Sequence, residues 1–153
     1  MKRNLDVKTV EGFGDEWKRF DQSGLSEDEL SERFNQYFSL FPWEALPKGA
    51  VGFDVGCGSG RWARRVAPRV ARLLCMDASF QVLEVARGTL FELENCEFVH
   101  ASVGGLPVRD ESMDFGYALG VLHHVPDTAA AIKECADKLK PGAPFLEIGR
   151  AHV

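Results

Sequence analysis

Residues 53–60 read Phe-Asp-Val-Gly-Cys-Gly-Ser-Gly, three alternating glycines that directly follow an apolar run. Glycine lets a backbone turn sharply and approach a ligand closely, and a helix start beyond it offers N–H groups and a positive dipole end. Loops of this kind hold phosphates, dinucleotides and related metabolites. A dinucleotide loop needs Gly or Ala at its sixth position, and counted from Gly56 that position is Arg61. A P-loop needs Gly-Lys-Ser/Thr, and none follows.

Asp54 narrows the ligand further. A carboxylate at the mouth of the loop repels a diphosphate and attracts a cation. At ~4 Å and an effective dielectric near 20, one opposite charge is worth about 4 kcal/mol before desolvation. The expected ligand therefore carries positive charge near the loop and an anionic group for the helix start. S-adenosylmethionine has both, through its ammonium, sulfonium and carboxylate. Asp77, 21 residues after Gly56 and at the end of the next apolar run, stands at the distance where an acid meets ribose hydroxyls in nucleotide-binding folds.

The set Asp54-Val55-Gly56-Cys57-Gly58-Ser59-Gly60 with Asp77 resembles the cofactor-binding motifs of class I S-adenosylmethionine-dependent methyltransferases. Leu106-Pro107, Ser112-Met113-Asp114-Phe115, Gly120-Val121-Leu122-His123-His124-Val125 and Leu139-Lys140-Pro141-Gly142 resemble, in that order, segments of the type 11 branch, which includes the ubiquinone and menaquinone C-methyltransferases. The resemblance covers about residues 50–146. It implies that Asp54 and the Gly56, Cys57, Gly58, Ser59, Gly60 and Arg61 loop hold the methionyl amine and carboxylate. It also implies that Asp77 takes the ribose hydroxyls and that Ala78, Ser102 and Val103 flank the adenine, with Leu119 and Gly120 at the sulfonium end. Ser102 stands where the family often has an aspartate. His123 and His124 are the candidate bases, should the acceptor have to lose a proton, because histidine titrates near neutral pH. No metal is implied. A cofactor-binding module without transfer activity and a nicotinamide oxidoreductase are the competing readings, the latter disfavoured by Arg61 and Asp54.

Positioning these residues takes strands and helices in alternation. Strand-like runs occupy Val51–Val55, Leu73–Met76, Glu97–His100, Met113–Leu119 and Pro144–Ile148. Helical patterns cover Ser59–Ala67, Phe80–Leu90 and a helix capped by Asp127, with Ile132, Cys135, Ala136 and Leu139 at i, i+3, i+4, i+7. Such alternation predicts a Rossmann-like, doubly wound α/β fold, a mostly parallel sheet with helices on both faces. The resemblance implies that the last two strands of a seven-stranded sheet are lacking. Residues 1–48 hold eight of the sixteen aromatics. Ser26 and Glu29 form a capping box, and Leu30, Phe34, Phe38 and Phe41 recur at helical spacing. This segment reads as a helix on the core, as an aromatic cover over the ligand, or as both at once, because a lid also buries one face. Residues 49–146 read as the cofactor-binding domain. Residues 147–153, which a widely used sequencing adapter also encodes, read as a non-native tail.

The 153 residues carry a formal net charge of −5 and 45% hydrophobic side chains, an ordinary globular composition. Mild acidity argues against a nucleic-acid partner. No apolar run is long enough to span a bilayer, and no secretory signal is read at the start. A cytoplasmic protein acting on a small-molecule acceptor is expected. The four cysteines, Cys57, Cys75, Cys96 and Cys135, form no C-x-x-C pair and read as small core hydrophobes. Of the five arginines from Arg61 to Arg72, four read as a solvated helix face.

Overall fold

The computed structural model describes residues 4–12 and 24–149. Phe13, Trp17 and Phe20, and the end of the tail from residue 150, lie outside the described residues. Five strands, β1 (Val51–Val55), β2 (Arg72–Asp77), β3 (Cys96–His100), β4 (Phe115–Leu119) and β5 (Phe145–Ile148), form one sheet. Its order is β3-β2-β1-β4-β5, and every pairing is parallel. The chain winds outward from β1 to β3, then returns to the other side of β1 for β4 and β5. This doubly wound arrangement agrees with the predicted Rossmann-like fold, and a crevice opens at the carboxyl ends where the winding reverses.

Side chains alternate across the sheet, as strand geometry demands. Leu73, Cys75, Phe115 and Tyr117 face one layer; Phe53, Val55, Leu74, Met76 and Ala118 face the other. The first layer is covered by α1 (Glu27–Tyr37), α2 (Ala63–Val66) and α3 (Phe80–Thr89), and the second by α4 (Thr128–Lys138) with the loop before β4. Phe34, Phe38 and Phe41 are buried there beside the half-buried Trp43, with Phe38 edge-on to Tyr117 and Phe41 edge-on to Phe115. These aromatics are core, as the first of those readings has it. The capping box forms as read: Glu29 N–H donates to the Ser26 hydroxyl, and Ser26 N–H donates to the Glu29 carboxylate.

Two local expectations change. The helix expected over Ser59–Ala67 is a single α-turn, α2, followed by a 3-10 turn at Ala67–Arg69. Gly60 has φ +82°, which no right-handed helix accommodates, and Pro68 lacks the N–H to continue the ladder. On α4 the buried face is Ala131, Cys135 and Leu139, while Ile132 is 39% exposed and Ala136 is exposed. Glu134 accounts for the rotation, because its carboxylate accepts the Gly104 and Leu106 N–H groups of the loop beside the helix.

Candidate functional site

A cavity of about 430 Å³ lies at the carboxyl ends of β1, β2 and β4. Its floor is the glycine loop. Gly56 N–H and Cys57 N–H both donate to the Met76 carbonyl, tying the loop to β2. Gly56 has φ +75°, and a Cβ there would lie 2.5 Å from Val121 Cγ2. Only glycine brings the backbone to the wall at that point. Gly60 closes the far end of the loop against Leu90, which a Cβ would meet at 2.7 Å.

Asp77 ends β2 beside this loop. One carboxylate oxygen accepts Gly58 N–H at 3.1 Å and the other accepts Ser79 N–H at 2.9 Å. Burial raises its pKa from the ordinary value, and those backbone donors oppose the rise. Each carboxylate oxygen has a second lone pair, which leaves Asp77 able to accept hydroxyl protons from a ligand while it spans loop and strand.

Of the residues expected at the site, Gly56, Gly58, Asp77, Ala78, Ser102, Val103, Leu119, Gly120 and His124 line one cavity. Asp54, Cys57, Ser59, Gly60, Arg61 and His123 do not. Cys57 is buried behind the loop, 5% exposed, and the Arg61 guanidinium lies over the Trp62 ring at 4.8 Å. The two histidine rings lie 3.9 Å apart, but only His124 reaches the cavity. His123 is half-buried, and its buried Nδ1 lacks a hydrogen-bond partner.

Asp54 departs most from expectation. It is 3% exposed and faces the aromatic layer instead of the loop mouth. Burial pushes its carboxyl up to about 8; the nearby Tyr117 hydroxyl opposes the shift, and Asp77 adds to it. Without a ligand it is therefore protonated at neutral pH, and the charge argument does not apply to it. The cavity still favours cations through other residues. Asp77 and Asp6 line it, and among the described residues no Lys or Arg does. One turn of helix carries little dipole, and the Gly56, Cys57, Gly58 and Gly60 N–H groups of the loop donate within the protein.

One wall comes from the start of the segment read as a possible cover, through residues that are not its aromatics. Leu5 lines the cavity, as do Thr9 and Val10 from a helical segment at residues 7–12. Asp6 caps this segment, accepting the Lys8 and Thr9 N–H groups. Asn4 anchors it, donating to the Asp127 carbonyl at 2.6 Å and accepting Asp127 N–H at 2.9 Å. Asp6 with Thr9 was the readable signal of a helix start.

The sequence model of the methyltransferase domain matches residues 53–146. The chain is 35% identical over 100 residues to a demethylmenaquinone methyltransferase of Staphylococcus epidermidis, covering 63% of this chain and 42% of that protein. The chain thus spans less than half the length of that relative. Among solved structures, N-methyltransferase NodS of Bradyrhizobium japonicum, in complex with S-adenosyl-L-homocysteine, superposes with TM-score 0.76 at 20% identity, over 90% of this chain and 71% of that one. A SAM-dependent methyltransferase of Aquifex aeolicus gives 0.60 at 17% identity, over 90% and 69%. With its doubly wound sheet, glycine-loop floor and matched residues, the chain belongs to the methyltransferase domain family of class I S-adenosylmethionine-dependent enzymes.

Proposed function

We propose that this chain binds S-adenosylmethionine in the cavity beneath residues 4–12 and transfers its methyl group to a small-molecule acceptor. The observation that carries the reading is the Asp77 carboxylate, held by Gly58 N–H and Ser79 N–H on the wall shared by the glycine loop and β2. The cavity fits that cofactor: acids line it, cationic side chains among the described residues do not, and glycine keeps its floor open. A diphosphate would find no cationic partner there, which speaks against a nicotinamide dinucleotide.

When bound, the cofactor supplies a methyl group already activated by the sulfonium. The chain's own part is placement. Asp77 accepts the ribose hydroxyl protons, and Ala78, Ser102 and Val103 flank the base. The Gly56 and Gly58 backbone borders the methionyl end, and Leu119 and Gly120 border the reacting end. Aligning two reactants at ~3–3.5 Å supplies much of the rate in such a displacement. His124, on the β4 side, takes the acceptor's proton where one must leave; His123 supports it from behind. The segment at 4–12 excludes water from the cavity. Among the described residues no helix is long and apolar enough to cross a membrane. We place the reaction in the cytoplasm, a setting that suits four buried free thiols.

Calorimetry with S-adenosylmethionine and S-adenosylhomocysteine tests the cofactor. Binding of both is expected, with Asp77→Ala weakening each at least about tenfold, the loss of one or two charge-assisted hydrogen bonds. Absence of binding by the folded wild-type chain would sink the proposal. Methyl transfer from labelled cofactor to a panel of phenols, quinols and amines then tests the acceptor. Transfer to one class names it, and bound cofactor with no transfer would favour a binding module.

A further inference from the structure

The Asp77 carboxylate is set from behind by a residue on the neighbouring strand. His100 ends β3 in register with Asp77 on β2. Its ring reaches past that pair, placing Nε2 2.8 Å from the Ala78 carbonyl oxygen. A carbonyl only accepts, so Nε2 carries the proton and donates. Ala78 C=O and Ser79 N–H belong to one peptide unit, which is planar and rigid about its C–N bond. His100 therefore holds one end of that plate, and the other end donates to Asp77 at 2.9 Å. Rotating the plate would break both bonds together. The Phe80 ring meets the imidazole edge at a centroid distance of 6.0 Å and 70°, fixing its orientation.

The backbone does the same on the other side. Ala101 N–H donates to the Asp77 carbonyl at 3.0 Å, so β3 secures the main chain of Asp77 while His100 secures the peptide that aims its carboxylate. No other described side chain bonds the Ala78 carbonyl. His100 itself is exposed and outside the cavity lining, so it touches neither ligand nor reacting atoms.

We propose that His100 is a positioning residue for the cofactor site, orienting the 78–79 peptide and through it the carboxylate that binds the ribose. This rests on the reading of Asp77 given above, and the test separates the two. Affinity for S-adenosylhomocysteine is measured by calorimetry on the wild-type chain, Asp77→Ala, His100→Ala and His100→Gln, with thermal melting of each. Loss of one hydrogen bond weakens binding roughly three- to tenfold; that loss is expected for His100→Ala with little change in melting. His100→Gln, whose amide N–H can reach the same carbonyl, is expected to recover affinity to within about twofold of wild type. Affinity unchanged in His100→Ala, while Asp77→Ala binds poorly, would overturn the positioning role alone; Asp77→Ala binding normally would overturn the ribose reading. Equal losses in the alanine and glutamine variants would also overturn the role. A second measurement needs no variant: nitrogen NMR of the free protein is expected to show neutral His100 protonated at Nε2, and a proton on Nδ1 instead would refute the bond.

Discussion

At the scale of single residues, Asp54 shows where chemistry and stability oppose each other. Its raised pKa means that the folded chain keeps a proton that the unfolded chain loses between the ordinary carboxyl value of 3.8 and about 8. Folding stability is therefore undiminished below that window and falls as pH rises through it. Asp54→Asn removes the cost, and is expected to raise the melting temperature at about pH 8 and to change it little near pH 4, because every tenfold difference in proton affinity between folded and unfolded chain is worth about 1.4 kcal/mol. A variant less stable than wild type at the higher pH would show that the buried acid is not the source of strain. The sequence identified Asp54 and Asp77 by type and spacing. It did not separate their roles, because strand alternation says that Asp54 and Val55 point oppositely but not which layer opens onto the cavity.

Elements were legible where their causes are local. The Ser26–Glu29 box lies within one turn, and the Asp127 cap bonds Ala130 N–H three residues on at 2.9 Å; both could be read directly. The rotation of α4 could not, because Glu134 is drawn toward Gly104 and Leu106 some thirty positions earlier. The wall at residues 4–12 was hidden for the same reason, its anchor joining Asn4 to Asp127. Asn4→Ala removes that anchor's two hydrogen bonds, each worth about 1 kcal/mol. Stopped-flow measurement is expected to show S-adenosylhomocysteine leaving several-fold faster, with the melting temperature almost unchanged. An unaltered off-rate would mean that the segment lines the cavity without closing it.

In the whole molecule, the two sheet layers divide the work. The aromatic layer carries stability: Phe38 stacks on Phe34 at 4.5 Å and on Trp43 at 5.3 Å, and meets Tyr117 edge-on at 5.4 Å. Phe38→Ala is expected to cost about 3–5 kcal/mol in chemical denaturation while leaving cofactor affinity, measured on the fraction still folded, within about twofold of wild type. A large loss of affinity would show that the aromatic layer reaches the site. β1 and β4 meet through reciprocal pairs, Gly52 under the Phe115 ring and Gly116 under Phe53, so the two layers interlock where the crevice begins. The bond between Asn4 and Asp127 spans 123 positions, and this orders events during synthesis. A ribosome has made the glycine loop, Asp77 and His100 well before Asp127 emerges. Until then residues 4–12 lack that anchor, and a nascent chain holds the crevice less firmly covered.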